Sequence, residues 1–283
     1  MPANALSTPV EESRDSIASV ERALQIIEWL ADSAAGLTFG RIVERLDVNK
    51  AIAFKLLNTL QASGYVFHDE ATATYRLTFR VSNLALRKLS GARLLEQSRA
   101  ELLPLADYTG ELVRLAVVET QTSPPRLTWV LSFLPPRQVL QIDPNYSLEI
   151  GLHTHAAGKA WLATLPFEQA LGLVKSKGFR PMTPHSIRSV EALRKELRRV
   201  AEQGYSASFD EHALGVSAVG VPVLAPRLGA PGACVAVVTV AAPSARRSRE
   251  QFLAWLPALR AVAGRLGGIW PLEPTEPLKP IAA

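Results

Sequence analysis

A long, nearly uncharged segment sets the first constraint on this chain. From residue 213 to residue 245 the only charged side chain is Arg227, over more residues than a helix needs to cross a bilayer. Prolines and a glycine interrupt the middle of the segment, where a membrane helix would have to be continuous. Residues 216–223 and 233–240 each have the length and composition of a buried strand. The segment therefore predicts two neighbouring strands inside a sheet and no membrane span.

These strands belong to a larger pattern in the C-terminal two thirds of the chain. Further strands are expected at residues 112–118, 127–133, 139–142 and 205–209. Helices are expected at residues 156–165, 167–177, 190–203 and 248–266. Antiparallel strands with helices gathered on one face make an α+β domain. Because the chain has 283 residues, there is room for this domain and for a second one.

The N-terminal part is organised differently. Apolar residues recur at helical spacing in residues 19–30, with Ser16 or Ser19 as the expected N-cap. Thr38 is the expected N-cap of a short second helix, and a three-residue turn leads into a third helix that stops before Gly64. A short β-hairpin follows. Three helices and a hairpin in this order are the parts of a winged helix-turn-helix.

The third helix has the chemistry needed to enter the major groove of DNA. Its outward positions combine two cations with an amide: Lys50, Ala51, Phe54, Lys55 and Asn58. The hairpin residues His68 and Arg76 can lie near phosphate groups. With the two helix-starting residues Thr38 and Asn49, these side chains form the predicted DNA-binding set.

The distribution of charge qualifies this prediction. The net charge is +5, but residues 1–90 carry ten basic and ten acidic side chains. Within residues 41–90 eight basic side chains accompany four acidic ones. A local basic surplus, and not the total charge, therefore marks the predicted DNA-binding end.

Composition and the chain ends complete this first description. One cysteine can form neither an intramolecular disulfide nor a multi-cysteine metal site, and residues 1–15 contain no apolar signal core. We therefore expect a cytoplasmic protein with a disordered leader at 1–15 and a proline-rich tail at 269–283. No cofactor and no bound metal are expected.

Several stretches resemble, in order, the IclR family of bacterial transcriptional regulators. They occur at residues 19–24, 55–60, 64–66, 110–113, 155–160 and 204–205, and at Glu211 and Gly215 ahead of Pro222. The resemblance spans residues 16–266. It implies a winged helix-turn-helix domain at 16–78, a linker helix at 79–92 and a GAF-like effector-binding domain at 93–268 with an antiparallel sheet.

The resemblance also implies partners. Family members assemble as homodimers or dimers of dimers, and the linker helix and the apolar run at residues 102–105 would mediate that contact. A twofold protein implies a near-palindromic operator in double-stranded DNA, with half-sites spaced by about one helical turn or a multiple of it. A small effector, expected to be a carboxylate, would control binding.

This chain departs from the family pattern in its recognition helix. Family members begin that helix with a Lys-Ser-Thr-like stretch followed by arginine, whereas here two hydroxyls are missing and Lys55 replaces the arginine. Because lysine lacks the bidentate fork of arginine, the operator is expected to differ from that of the family.

A second departure lies in the expected effector pocket. Members that sense very small acids carry an acid, a cysteine and serines at positions that here are Ser208, Ala218, Thr239 and Ala241. Smaller and less polar side chains predict a larger, partly apolar ligand such as an aromatic or alicyclic acid. The amides that start the helix near residue 156 would meet its carboxylate. The full predicted effector-binding set is Trp129, His155, Ala156, Ala157, Gly158, Ser208, Phe209, Ala218, Val219, Thr239 and Ala241.

Two other functions are compatible with parts of the sequence. Ser217 lies in a stretch that resembles a nucleophile elbow, with His212 nearby, which makes a small-molecule hydrolase the enzymatic alternative. A winged-helix module that binds only protein is the other. The favoured interpretation is a non-enzymatic, ligand-responsive regulator, either a repressor or an activator, that binds specific DNA and controls a catabolic operon.

Overall fold

The computed structural model describes residues 16–90, 93–135, 142–143, 150–227 and 230–270. Contacts divide the chain into two compact units, Met1–Gly91 and Ala92–Ala283. The division falls within the predicted linker. In the described part of the chain, no helix is both long and apolar enough to cross a membrane.

The N-terminal unit is a winged helix-turn-helix. Its elements are α1 (Ala18–Ala31), β1 (Leu37–Thr38), α2 (Phe39–Leu46), α3 (Lys50–Ala62), β2 (Val66–Asp69), β3 (Thr74–Leu77) and α4 (Arg80–Ser90). The three strands form an antiparallel sheet in the order β1-β3-β2. Strand β1 was not predicted, because two residues show no alternation and gain their partner only through pairing with β3.

Local sequence explains how α2 and α3 begin. The Thr38 hydroxyl accepts a hydrogen bond from the Arg41 amide at 3.4 Å, and the Asn49 side chain accepts one from the Ile52 amide at 2.9 Å. The predicted cap Thr38 is confirmed, and Asn49, predicted only as part of the turn, is the cap of α3. The predicted serine cap of α1 is wrong, because the helix starts after Ile17 without a side-chain cap.

The core of the N-terminal unit contains the predicted buried stripe of α3. Ala53, Leu56, Leu57 and Leu60 pack with apolar residues of α1, α2 and the wing. Because these apolar residues bury one face of α3, the opposite face is exposed to solvent. The spacing of the apolar residues thus decides which side chains of the helix point outward.

The C-terminal unit is built on a five-stranded antiparallel sheet in the order β5-β4-β8-β7-β6. Its elements are α5 (Arg93–Thr109), β4 (Leu112–Glu119), β5 (Arg126–Phe133), α6 (Ala156–Leu162), α7 (Phe167–Ser176), α8 (Val190–Gln203), β6 (Ser206–Phe209), β7 (Val216–Arg227), β8 (Ala230–Pro243), α9 (Arg249–Ala254) and α10 (Leu256–Ile269). The central strands β7 and β8 are the two apolar strands expected from residues 213–245, so that prediction is confirmed.

Helices cover both faces of this sheet, so the expectation that they gather on one face is wrong. Helices α5, α9 and α10 pack with alternate β8 residues such as Val238 and Val240. Helices α6, α7 and α8 pack on the other face, where Val237 points. The apolar run at 102–105 mostly serves the first of these cores, because Leu102 and Leu105 are buried there.

Two further elements differ from their predictions. The single helix expected at 248–266 is divided into α9 and α10 around Trp255. Pro257, near the start of α10, has no N–H to donate to the Leu253 carbonyl one turn back. The strand expected at 139–142 lies outside the described residues except for Ile142, which is not in a strand.

Candidate functional site

The outer surface of α3 carries five of the predicted DNA-binding side chains together. Lys50, Ala51, Phe54, Lys55 and Asn58 are all exposed, and we call this surface the α3 face. In the described part of the chain neither lysine has an acidic partner. The α3 face therefore offers two uncompensated cations and an amide to a polyanion.

The other predicted DNA-binding residues are two helix caps and two wing residues that point to opposite faces of their sheet. Thr38 and Asn49 use their side chains as helix caps. On the wing, His68 stands opposite Tyr75 and contacts its ring, whereas Arg76 stands opposite Phe67 and lies 3.8 Å from the Asp69 carboxylate. Successive strand residues point to opposite faces, so His68 and Arg76 cannot both face one phosphate strand.

A cavity lies on the α6 side of the large sheet, and strand register builds its floor. One row across the sheet brings Leu112, Ala241, Ala218 and Ser208 side by side. The next row places Arg114 beside Thr239 and Gly220. Small side chains in these rows leave a space that is lined by Leu112, Arg114, Trp129, Ile142, His155, Ala156, Ala157, Ser208, His212, Val216, Ala218, Thr239 and Ala241.

Arg114 is the charged group of this cavity. Its side chain is 5% exposed, its guanidinium lies 3.9 Å from the centre of the Trp129 ring, and its Nε donates to the Ser132 hydroxyl at 3.2 Å. Burial lowers the pKa of Arg114 to about 10, so the side chain is still a cation at neutral pH. No carboxylate in the described part of the chain pairs with it. A buried cation in that state is costly unless an anion joins it.

Two histidines form part of the cavity wall. The rings of His155 and His212 stack with centroids 3.6 Å apart. Burial, reinforced by the nearby His212 charge, lowers the pKa of His155 to about 3, and burial also lowers the pKa of His212. Nδ1 of His155 accepts a hydrogen bond from the Gly151 amide at 2.8 Å. The neutral ring of His155 therefore carries its proton on Nε2.

A buried ion cluster supports the wall segment that carries His212. Lys159 of α6 donates to both carboxylate oxygens of Glu211 at 2.7 Å and lies 3.1 Å from Glu196 of α8. Burial raises the pKa of Glu211, although Lys159 opposes the shift. Lys159 is fully buried, and both carboxylates compensate its charge.

The structure brings together most, but not all, of the predicted effector-binding residues. Eight of them line the cavity: Trp129, His155, Ala156, Ala157, Ser208, Ala218, Thr239 and Ala241. The other three do not. Phe209 and Val219 lie in the core on the opposite face of the sheet, and Gly158 packs against the Leu152 backbone, where a Cβ would collide.

Sequence reasoning overlooked the most highly charged member of the lining. Arg114 occupies the third position of a strand that is otherwise apolar up to its last residue, Glu119, and a charge inside such a run is the signal that could have identified it. Leu112 and Val216 were also missed, although they share the sheet face of the predicted small residues.

The geometry does not assemble a hydrolytic site around Ser217. Its hydroxyl lies 2.7 Å from that of Ser244, which donates to Asp210, while Nδ1 of His212 is 3.0 Å from the Thr154 hydroxyl. A serine nucleophile needs a base within hydrogen-bond reach, and His212 is engaged elsewhere. In the described part of the chain no group of three or more metal-ligating side chains is gathered.

A winged helix-turn-helix unit joined in one chain to an α+β unit with a small-molecule cavity defines a DNA-binding regulator. Family models agree. The IclR helix-turn-helix domain matches residues 19–70, and the C-terminal domain of bacterial transcriptional regulator IclR matches residues 86–267. The chain belongs to the IclR family of bacterial transcriptional regulators.

Individual relatives are distant but cover most of the chain. The HTH-type transcriptional repressor AllR of Salmonella typhi is 24% identical over 236 residues, which are 83% of this chain and 84% of that protein. An IclR transcriptional regulator from Alicyclobacillus acidocaldarius is 25% identical, with a TM-score of 0.74 over 89% of this chain and 98% of that one.

A third relative was solved with a ligand. It is an IclR homologue from Microbacterium hydrocarbonoxydans complexed with 4-hydroxybenzoate. It is 20% identical, with a TM-score of 0.67 over 88% of this chain and 97% of that one, and it shows a shared fold.

Proposed function

We propose that this regulator responds to a small organic acid whose carboxylate pairs with Arg114. The observation that carries the proposal is the buried guanidinium itself, which faces a cavity without an acidic partner in the described part of the chain. A bidentate carboxylate would neutralise the cation and satisfy donors that Ser132 leaves unused.

The lining defines the rest of the ligand. The cavity volume is about 50 Å³, on a scale where one water needs about 10–15 Å³ and a cavity of about 150 Å³ binds benzene, so a ring acid would have to widen the cavity as it binds. The exposed lining is mostly apolar, and Trp129 adds a flat surface beside the cation. The apolar lining and the flat Trp129 ring, not the volume, favour an aromatic or alicyclic carboxylate over a two-carbon acid.

A second polar group on such a ligand would also find partners. The buried indole N–H of Trp129 has no hydrogen-bond partner in the described part of the chain. The hydroxyls of Ser208 and Thr239 also reach the lining, although Ser208 already donates to the Thr154 carbonyl. A ring hydroxyl is the substituent that these groups support.

For the DNA site we propose that the α3 face enters the major groove of a near-palindromic operator. Its exposed lysines without acidic partners support this, and His68 and Arg76 of the wing would contribute phosphate contacts from opposite faces. We propose that Thr38 and Asn49 contribute at the helix starts, where backbone amides near phosphate are favourable.

Assembly as a homodimer is supported by an apolar stripe on α1. Ile17, Val20 and Leu24 are spaced three and four residues apart and are each at least half exposed. A second copy would cover them, and such a twofold pair would match two operator half-sites. The regulator would act in the cytoplasm on a catabolic operon and would not be an enzyme, because Ser217 lacks an adjacent base.

Calorimetry with matched ligands tests the effector site. Benzoate, 4-hydroxybenzoate and cyclohexanecarboxylate are compared with their neutral carboxamides on the full-length protein. We expect at least one acid to bind with a micromolar dissociation constant and its amide to bind at least about 100-fold more weakly, because a neutral group cannot compensate the buried cation. Equal binding of acid and amide, or binding of glyoxylate with no ring acid, would contradict the proposal.

A further inference from the structure

The α3 face contains an apolar group that phosphate binding does not use. Phe54 is 52% exposed, in the middle of α3, although the same helix buries Leu56 and Leu57 completely or nearly so. A single exposed apolar side chain is common in proteins and by itself indicates little. The position of this one is informative, because it lies among the charged and amide side chains of a recognition helix.

The neighbours of Phe54 give its position on the helix surface. Residues three and four apart are adjacent on an α-helix, so Phe54 lies beside Ala51 in the preceding turn and Asn58 in the following one. Lys50 is also four residues away, and Lys55 is next in sequence. Phe54 and Ala51 thus form a small apolar area that is bordered by two cations and an amide, all of them exposed.

The major groove offers few apolar groups to such an area. Among the four bases only thymine presents one there, its C5 methyl group, and phenylalanine and alanine are side chains that contact it. The rise from residue 51 to residue 54 is about 4.5 Å, close to one base step of about 3.4 Å. A ring and a methyl group at this spacing can cover the methyl groups of one or two adjacent thymines.

We propose that Phe54, with Ala51 beside it, selects thymine in each operator half-site through contact with the C5 methyl group. The inference rests on the proposed use of the α3 face for DNA. It assigns to Phe54 a specificity role, whereas the lysines supply affinity that is independent of sequence. The cations that border the ring fit a polyanionic partner better than an apolar protein surface.

The test begins with an operator chosen by the protein. Duplexes bound by the full-length chain are selected from a random-sequence pool, and each thymine of the preferred site is then replaced by deoxyuridine, which pairs identically but lacks the methyl group. We expect one or two positions in each half-site where the replacement weakens binding roughly threefold to fivefold, the effect of exposing one methyl-sized group. Replacement in both half-sites should weaken binding about ninefold to twenty-fivefold.

Two variants assign the effect to the ring. Phe54→Ala should bind the thymine and deoxyuridine operators with equal affinity while keeping its salt dependence. Ile52→Ala is the matched control, because Ile52 is an exposed apolar residue on another side of the same helix. It should retain the discrimination of the original protein. Circular dichroism and thermal melting of both variants check that α3 still folds.

The outcomes separate this inference from the function on which it rests. If no sequence is enriched and binding is uniformly weak, the DNA-binding proposal fails. If a selective operator is found but no deoxyuridine replacement weakens binding, the role of Phe54 is overturned and DNA binding stands. Discrimination that survives in Phe54→Ala, or that is lost in Ile52→Ala alone, also overturns it.

Discussion

The two lysines of the α3 face and the arginine of the cavity all lack an acidic partner in the described part of the chain, yet water surrounds only the lysines. Lys50 and Lys55 are exposed, so their charges cost little and are screened by salt. Arg114 is 5% exposed, so its charge is expensive until an anion arrives. The exposed pair suits a large polyanion that is bound through many weak contacts. The buried cation suits one small anion that is bound through a single strong ion pair.

The largest expected effect is loss of the ligand when Arg114 is neutralised. Arg114→Met should weaken binding of the acid identified by calorimetry at least about 100-fold, because the carboxylate would then be buried without a cation. Operator affinity without ligand should stay within about twofold. Arg249→Met, which removes an exposed arginine outside the cavity lining, is the control and should leave ligand binding unchanged. Undiminished affinity in Arg114→Met would show that the buried cation is not the anchor.

The same variant should be more stable than the original protein when no ligand is bound. Without ligand, Arg114→Met should raise the free energy of unfolding by about 1–2 kcal/mol, since it replaces an uncompensated buried cation by an apolar side chain of similar length. Chemical denaturation measures this difference. A clear loss of stability would mean that other groups already compensate the charge of Arg114 in the free protein. The buried charge would then cost no more than the exposed charges of the lysines.

Acid should destabilise the C-terminal unit, which contains the cavity, more than the N-terminal unit, which contains the α3 face. The pKa of His155 is about 3 in the folded protein, below its value of about 6.5 in the unfolded chain, so the unfolded state binds the extra proton between these values. Stability is therefore fully present above pH 6.5 and declines as pH falls, by about 2 kcal/mol between pH 6.5 and pH 5 for this one group.

Thermal melting against pH checks the assignment to His155. His155→Gln should flatten the decline. His68→Gln changes a histidine of the wing that carries no such burial and serves as the matched control. Equal slopes in the original protein and in His155→Gln would contradict the assignment.

Salt dependence probes the exposed lysines. Lys55→Ala should reduce the slope of log affinity against log salt concentration by about one, and Lys50→Ala,Lys55→Ala by about two, because each lysine neutralises one phosphate. Lys195→Ala, which removes an exposed lysine of α8, should leave the slope unchanged. Unchanged slopes in both α3 variants would show that this surface does not contact DNA.

The smallest expected effects concern the caps that hold α2 and α3. Thr38→Ala and Asn49→Ala should each lower the free energy of unfolding of the N-terminal unit by about 1 kcal/mol, since each leaves a helix amide without its acceptor. Ser19→Ala should stay within about 0.5 kcal/mol, because Ser19 is not a cap. Equal losses in the three variants would indicate a general effect of truncation.

Sequence periodicity predicted the elements of both units well, because the pattern that identifies a helix also identifies its buried face. The stripe at Ala53, Leu56, Leu57 and Leu60 is buried as expected, and so the α3 face could be named from the sequence. The α1 cap could not be chosen correctly, since serines that precede a helix have several equivalent ways to be solvated.

The cavity was less predictable because its residues meet through sheet pairing. Period-two alternation placed Ala218 and Thr239 correctly, but it could not tell that Arg114 lies opposite Thr239 across β4 and β8. Phe209 and Val219 were assigned to the cavity although each directly follows a cavity residue, Ser208 or Ala218, so alternation itself places them on the other face. Register is a property of the folded sheet, which a single strand does not contain.

We expect the two differently solvated cationic sites to belong to one switch. Operator binding is titrated with and without the acid that calorimetry identifies, for the original protein and for Arg114→Met. Because an effector can act only through different affinities for two states, the acid should change operator affinity at least about fivefold in the original protein and not at all in Arg114→Met. An acid that occupies the cavity but leaves operator affinity unchanged, or that acts equally on Arg114→Met, would contradict the account.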